Sequence, residues 1–278
     1  MKRLNTVPMR FFATLLLIMG TVTAHAQYYL NIRQTDGTRL RYAVSAVDSL
    51  WFDKDEHQEP SVNYKYVDLG LSVKWATFNV GASKPEDYGD YYAWGETEPH
   101  YEAGYAQEDP QTHWKEGYAE GYNWSTYKYC NDSYNSMTKY CSNSSYGNGG
   151  FTDTKTTLDL VDDVAHVKWG GSWRMPTRAE QDELRNNCTW TWITQNGVNG
   201  YLVTSKIPGH EGASIFLPAV GNRFRTSLND VGSYGEYWSS SLYTDYLDCA
   251  FRLEFISDDH YTNGCGRDFG QSVRPVCP

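Results

Sequence analysis

The sequence predicts an α+β fold in which many short strands and few helices follow a small N-terminal β unit. Of its 278 residues, 23 are Tyr, 10 are Trp and 24 are Gly. Aromatic residues favour strands, whereas Gly favours the turns between them. Short stretches of alternating apolar residues recur along the chain, and one segment carries strong helix signals. This composition is also common in exported β-rich proteins that have no specialised binding surface.

The N-terminus has the pattern of a signal peptide at residues 1–26. Lys2, Arg3 and Arg10 precede the apolar run "FFATLLLIMG", and the small-residue motif "AHA" ends at Ala26. The run is too short to predict a membrane span. We therefore expect an exported chain that begins at Gln27, lies in the periplasm, at the cell surface or outside the cell, and has no membrane span after signal removal.

Residues 27–53 are predicted to form the small β unit. Apolar and other residues alternate on both sides of a hairpin turn at Asp36-Gly37. The alternating positions are Tyr28, Leu30 and Ile32 before the turn and Leu40, Tyr42 and Val44 after it. Residues 54–63 are polar and charged and predict a linker, and residues 64–278 form the main domain.

The main domain begins with short strands in "YVDLGLSVKWATFNVGAS" and "YGDYYAWGE". Residues 99–123 lack a clear period and predict a long surface insertion. Next, Thr177 and Glu180 have the spacing of a helix capping box. Met175, Ala179 and Leu184 are predicted to turn one side of this helix toward the core.

The chain after the helix predicts further strands. Asn196-Gly197 and Asn199-Gly200 are both strong hairpin signals within "TWTWITQNGVNGYLVTSK". The segments "ASIFLPAVG" and "YWSSSL" then have the composition of strands.

Charge and motifs narrow the chemistry. The formal net charge is -10, and the absence of a basic run beyond the N-terminus argues against nucleic-acid binding. Ser239, Ser240 and Ser241 lack a GxSxG context, so strand and turn roles are favoured over catalysis. His100 and His113 have loop spacing that makes a poor metal site. We expect no catalytic residues, no metal and no cofactor.

Two acidic pairs and one tryptophan motif admit alternative interpretations. Asp162-Asp163 and Asp258-Asp259 could bind calcium or act as acid and base, but solvated loop charges are the favoured interpretation. The motif "WGGSW", from Trp169 to Trp173, could be a sugar-stacking platform, although packing in the core is favoured.

Six cysteines in an exported chain can form disulfides. Cys130 and Cys141 are the candidate local pair, and the pairing of the other four stays open. Zinc and thioredoxin-like sites are disfavoured because no cysteines have CxxC spacing.

An ordered series of motifs identifies a family resemblance. The series comprises "VDLGLSVKWATFNVGAS", "YGDYYAWGET", "TKYC", "WGGSWRMPTRAEQDEL", "CTWTWITQNGVNGYLVTSK", "YWSSSL" and "SVRPV". Over residues 64–277 the chain resembles the exported major paralogous domain proteins, named for Fibrobacter succinogenes and abundant in gut Bacteroidota. These are similar in turn to the formylglycine-generating-enzyme branch of the C-type lectin fold. The resemblance implies a C-type-lectin-like domain.

The resemblance also suggests a role for the C-terminal segment. Some proteins of this fold are variable proteins of diversity-generating retroelements, in which a C-terminal segment is rewritten at adenines, usually in AAY codons. Such rewriting cannot produce Lys, Trp, Met, Gln or Glu, and no Lys, Trp or Met occurs from Tyr243 to Pro278. Glu254 and Gln271 would then be fixed positions. Ordinary divergence would also produce a segment rich in Asn and Asp.

The implied ligand-binding face consists of residues that such rewriting permits. These candidates are Tyr243, Asp245, Tyr246, Asp248, Cys249, Arg252, Asp258, Asp259, His260, Tyr261, Asn263, Arg267, Asp268 and Phe269. Ala250, Leu253 and Phe255 are expected to stay apolar while their neighbours face outward. Phe251 breaks this alternation and leaves the register open.

We therefore expect an exported, non-enzymatic protein that binds an extracellular protein or glycan through this face. One alternative is a formylglycine-generating-type enzyme, suggested by "RMPTRAE". That activity needs a cysteine pair in the C-terminal core, and Cys265 and Cys277 do not match it residue by residue. The calcium-dependent sugar-binding motifs EPN, QPD and WND do not occur. The other alternative is a structural or adhesin subunit of the cell surface.

Overall fold

The computed structural model describes residues 29–33, 39–43, 64–107 and 113–278. The chain divides into two units, residues 1–61 and residues 62–278. The first unit contains strands β1 (Tyr29–Arg33) and β2 (Arg39–Ala43), which pair antiparallel. The alternation in the sequence predicts this pairing. The Asp36-Gly37 turn, the signal segment 1–26 and the linker up to residue 63 lie outside the described residues.

The second unit contains two α-helices and eleven strands among its described residues. The helices are α1 (Val164–Trp169) and α2 (Arg178–Asn187). The strands are β3 (Tyr66–Val67), β4 (Lys74–Ala76), β5 (Cys188–Gln195), β6 (Val198–Ser205), β7 (Ser214–Pro218), β8 (Asn222–Phe224), β9 (Ser227–Asn229), β10 (Gly235–Leu242), β11 (Cys249–Ile256), β12 (Asp259–Gly266) and β13 (Val276–Cys277).

The strands form several small antiparallel sheets. The sheets have the orders β5-β6-β7, β10-β11-β12 and β13-β4-β3, and β8 pairs with β9. In the sheet of β3, β4 and β13, Val276 pairs with Trp75, so the end of the chain joins the start of the unit. Trp75, Trp94 and Trp238 are fully buried and form part of one aromatic-rich core. The described chain is thus mostly β-strand with few helices, which is consistent with an α+β or β-rich class.

The β5–β6 hairpin turns at one of the two candidate Asn-Gly pairs. Asn196 and Gly197 both have positive φ, 48° and 86°, as a type I′ turn requires. Gly200 instead lies inside β6, where a Cβ atom would come within 2.3 Å of the Leu217 carbonyl oxygen on β7. The second Asn-Gly signal therefore reflects close strand packing, not a turn.

Helix α2 begins with the capping box that the sequence predicts. The Thr177 side chain accepts from the Glu180 N–H, and the Glu180 carboxylate accepts from the Thr177 N–H at 2.8 Å. Leu184 is buried, but Ala179 is exposed, so the prediction for Ala179 was wrong. Gln181 takes the inner position because its amide donates to the carbonyl oxygens of Tyr237 and Trp238 at 3.1 and 3.2 Å.

Two expectations for loops were also wrong. In the insertion, His100, Tyr101 and Tyr122 are buried, so both of its ends belong to the core. Asp162 and Asp163 are buried as well, and neither is a solvated loop charge.

These two buried carboxylates organise the backbone and side chains around them. Burial raises the pKa of Asp162, but hydrogen bonds from Lys139, Tyr129 and Tyr140 outweigh it and leave the pKa below its ordinary value. The carboxylate of Asp163 caps α1 and accepts from the backbone N–H of Met175 at 2.8 Å. Both acids therefore have structural roles in the second unit.

Within the part of the chain that the structure describes, no helix has the length and apolar character needed to cross a membrane.

Candidate functional site

The sheet of β10, β11 and β12 carries the C-terminal candidate residues. The central strand β11 pairs with β12 over its whole length, from Cys249 opposite Gly266 to Ile256 opposite Asp259. Leu253 and Phe255 lie on one face and Ala250 on the other, and all three are buried. Because both faces of β11 are covered, its apolar residues do not follow a strict alternation. Phe251 lies on the same face as Leu253 and Phe255, so Ala250, not Phe251, departs from the alternation.

One face of this sheet carries a charged cluster. The Arg252 guanidinium pairs with the carboxylates of Glu254 on the same strand and of Glu236, which lies opposite Glu254 on β10. The Tyr261 hydroxyl donates to Glu254 at 2.8 Å, and the Asn222 amide donates to Glu236 at 3.1 Å. Burial raises the pKa of Glu236, and the charge of Arg252 offsets this only in part. The cluster links all three strands, because Glu236 lies on β10, Arg252 and Glu254 lie on β11, and Tyr261 lies on β12.

The loop between β10 and β11 is fastened at its base and exposed at its tip. The N–H of Tyr243 donates to the Cys249 carbonyl at 3.1 Å, and the N–H of Cys249 donates to the Tyr246 carbonyl at 2.9 Å. Leu247 is buried beneath the loop, whereas Tyr246 is 60% exposed. The Tyr243 ring lies 4.5 Å from Phe251 and 5.9 Å from Tyr246 between centroids. The loop thus presents its tyrosines from a fixed backbone.

Two tyrosines from an earlier segment lie near this loop. Partial burial raises the pKa of Tyr146, and the neighbouring Asp248, Tyr134 and Tyr246 raise it further. Tyr134 is about half exposed. We call the combined surface the Tyr–Asp patch. It comprises Tyr134, Tyr146, Tyr243, Asp245, Tyr246 and Asp248.

The structure divides the sequence candidates by position. Asp258, Asp259 and His260 lie at the turn between β11 and β12, and the Tyr–Asp patch lies at the other end of β11. Eight residues of extended strand span roughly 23 Å, so the two groups do not form one contact surface for a small ligand. His260 packs inward, with its ring stacked on Trp190 at 4.4 Å. Burial lowers the pKa of His260.

The remaining candidates differ in exposure. Asn263 is exposed and Tyr261 is half-buried beside the charged cluster. Phe269 stacks on Phe224 with a centroid distance of 4.5 Å. Arg267 and Asp268 are only 0% and 2% exposed, so neither side chain lies on the surface where the sequence interpretation places it.

Arg267 instead fastens the C-terminal loop to the core. Its guanidinium donates to the Tyr140 carbonyl at 3.0 Å and lies 5.5 Å from the ring centroids of both Trp94 and Tyr127. Its backbone N–H donates to the Asp248 carbonyl at 2.9 Å. Arg267 therefore supports the Tyr–Asp patch from beneath.

Asp268 is a buried carboxyl group beside this anchor. Its Oδ1 has no hydrogen-bond partner among the described residues. Burial raises the pKa of Asp268 to about 7, its own backbone N–H lowers it, and the charge of Asp248 raises it. The group is therefore poised to titrate near neutral pH.

The predicted Cys130–Cys141 disulfide is not formed. All six cysteines lie in the described part of the chain and all are free thiols. The Cys130 sulfur lies 3.0 Å from the Trp124 carbonyl oxygen, and the Cys141 sulfur lies 3.2 Å from that of Asn143. The two thiols thus contact different backbone carbonyls instead of each other. Burial raises the pKa of Cys249 to about 11.

Sequence reasoning missed Tyr134 and Tyr146. Their only signal is membership of a Tyr-rich segment, and nothing local connects residues 134–146 with residues 243–248. No group of three or more His, Cys, Asp and Glu residues in the described ranges has the arrangement of a metal site. No protein-family model, curated protein or solved structure matches the chain.

Proposed function

We propose that this chain is an exported, non-enzymatic binding protein whose Tyr–Asp patch contacts an extracellular protein or glycan. The observation that carries the proposal is the exposure of Tyr246, at 60%, on a loop whose base is held by backbone hydrogen bonds. A large aromatic residue exposed on an ordered loop costs little conformational entropy when it binds. The C-type-lectin-like scaffold is part of the same proposal.

The chemistry of the patch favours a ligand with both apolar and cationic or hydroxyl-bearing groups. Four phenol rings provide contact area and hydrogen-bonding hydroxyls. Asp245 and Asp248 add negative charge and accept hydrogen bonds. Complementary charge on a partner would steer its approach and select among partners.

Retroelement diversification is supported by how the residues are distributed. Glu254 and Gln271, which rewritten AAY codons cannot encode, are buried. Tyr243, Asp245 and Tyr246, which such codons can encode, lie in the patch. Rewriting would thus change contact residues and leave unchanged the residues that support the sheet. Burial of Arg267 and Asp268, two further permitted residues, confines the proposed variable surface to fewer positions.

The two alternative functions, an enzyme and a structural or adhesin subunit, have less support. For a formylglycine-generating enzyme, Cys265 and Cys277 would need to act as a pair, but they lie in different sheets. Burial also raises the pKa of Cys265 to about 12, which disfavours its thiolate. A structural or adhesin subunit would also bind its partner through an exposed patch. Identification of the ligand distinguishes such a subunit from the binding protein proposed above.

Arrays of extracellular proteins and glycans, probed with the whole mature chain, test the binding proposal. We expect a ligand that the wild type retains and that a Tyr243→Ser, Tyr246→Ser double variant loses. An Asp258→Asn, Asp259→Asn variant at the distant turn is the matched control and should bind normally. Equal binding by all three proteins would contradict the proposed site.

Sequencing of the gene and its flanks tests diversification separately. A near-copy of the segment for residues 243–277, differing mainly at adenines and lying beside a reverse-transcriptase gene, is the expected result. Without both features, diversification at this locus is refuted while the binding proposal stands.

A further inference from the structure

A groove in the second unit shares no residue with the Tyr–Asp patch. Its volume is about 980 Å³, at the upper end of the roughly 300–1,000 Å³ typical of small-molecule sites. One wall is formed by the aromatic residues Tyr64, Phe78 and Trp169. Polar groups, among them Asp90 and Lys168, form other parts of its lining. The groove thus combines ring surface with hydrogen-bonding groups.

The aromatic wall is rigid and only partly covered. Tyr64 stacks on Trp169 with a centroid distance of 3.9 Å and an interplanar angle of 5°. Phe78 contacts the same indole at 5.4 Å, and Trp173 packs edge-on at 5.0 Å without lining the groove. All four rings are half-buried, and Trp169 packs against the core, so neither "WGGSW" tryptophan is fully buried. Half-buried rings held by other rings present a preformed apolar surface.

The carboxylate of Asp90 also lines the groove and receives only long hydrogen bonds from tyrosine side chains. The hydroxyls of Tyr92 and Tyr101 lie 3.4 Å from its oxygens, at the long end of hydrogen bonding. An ionised carboxylate has about four acceptor positions. Burial raises the pKa of Asp90. Donors from a bound molecule could therefore satisfy this group further.

The groove also contains amine donors that are already positioned. Lys115 and Lys168 both pair with Glu98, and the Lys115 distance is 3.6 Å. With Lys65 and Lys84, four ammonium groups and two carboxylates line the groove. A ligand is thus offered both hydrogen-bond donors and acceptors around an apolar wall.

From this combination we propose that the groove binds a carbohydrate. A sugar ring presents weakly positive C–H groups on its face and hydroxyls around its rim. The C–H face packs against the outer side of the stacked Tyr64–Trp169 pair, since the inner faces of these rings cover each other. Rim hydroxyls donate to Asp90 and accept from Lys168. The volume suits an oligosaccharide better than a single sugar.

A titration with defined sugars tests the proposal. The probes are trisaccharides of glucose, mannose, xylose, N-acetylglucosamine and galacturonic acid, and binding to the whole mature chain is followed by ligand-observed NMR. At least one should bind with a dissociation constant near or below about 1 mM. Trp169→Ala and Asp90→Asn should each weaken that binding by about tenfold or more.

Matched variants separate binding from folding. Trp173→Phe alters the same ring cluster outside the groove. Trp173→Phe should bind like the wild type, as should Tyr246→Ala in the Tyr–Asp patch. If Trp169→Ala fails to fold, Asp90→Asn still decides the matter. Absence of binding to every probe at about 10 mM, or wild-type affinity in Asp90→Asn, overturns the proposal.

Discussion

Replacement of Arg267 by Ala tests whether this residue supports the Tyr–Asp patch or binds ligand. The guanidinium is fully buried and donates to the Tyr140 carbonyl at 3.0 Å. It also lies 5.5 Å from the centroids of Trp94 and Tyr127. Alanine would leave a buried carbonyl without its donor and a gap between two aromatic rings. We therefore expect loss of stability, with any loss of binding as a consequence.

The expected free-energy cost is about 3 kcal/mol. A hydrogen bond from a charged group contributes about 1.5–3 kcal/mol, and desolvated cation–π contacts contribute about 2 kcal/mol. Removal of a buried cation returns part of this, because burial of the guanidinium is itself costly. For a domain of this size, 3 kcal/mol corresponds to a decrease in melting temperature of roughly 6–12 °C. Tyr246→Ala, at an exposed site, should change stability by only about 0.5 kcal/mol.

Circular dichroism melts of the wild type, Arg267→Ala and Tyr246→Ala at one pH and protein concentration provide the comparison. Arg267→Lys adds a further test, since a lysine keeps the charge but loses the planar donor pair and the ring contacts. It should melt well below the wild type. A melting temperature for Arg267→Ala within about 2 °C of the wild type would refute the supporting role.

Three further predictions concern titration, packing and thiols. Asp268→Asn should become more stable than the wild type as the pH rises from 4 to 8, by up to about 4 kcal/mol, measured by denaturant melts. Burial raises the pKa of Asp268 and so favours its protonated form in the folded state, which means that ionisation at higher pH destabilises the wild type but not the variant. If the difference in unfolding free energy between variant and wild type stayed constant across this range, the prediction would be contradicted. Gly200→Ala should lower the free energy of unfolding by about 2 kcal/mol, because its Cβ would meet the Leu217 carbonyl oxygen at 2.3 Å. A melting curve unchanged from the wild type would show instead that β7 shifts at little cost. Alkylation of the unfolded, unreduced protein should label all six cysteines, and labelling of only four would indicate a disulfide such as Cys130–Cys141.

Local signals predicted several elements because their causes are local. The capping box of Thr177 and Glu180 and the turn at Asn196-Gly197 depend on neighbouring backbone, so residue type and spacing identify them. Gly200 shows the limit of this reasoning. Its dipeptide resembles a turn signal, but its conformation is set by a strand that arrives later in the chain.

The candidate site was less predictable because exposure depends on distant contacts. Arg267 and Asp268 have the polar character of surface residues, yet the core around Tyr140 covers Arg267. Tyr134 and Tyr146 reach the patch through a fold that no local pattern encodes. Sequence therefore predicted Tyr243 and its loop as candidates, and missed the neighbouring tyrosines of the proposed surface.

The most direct measurement of the central claim is the affinity of an array-identified ligand for single patch variants. Surface plasmon resonance would compare the wild type, Tyr246→Ala and the distant Asp258→Asn. We expect Tyr246→Ala to weaken binding by tenfold or more, equivalent to about 1.4 kcal/mol, with its melting temperature unchanged and Asp258→Asn like the wild type. Wild-type affinity in Tyr246→Ala, or an equal loss in Asp258→Asn, would contradict binding through the Tyr–Asp patch.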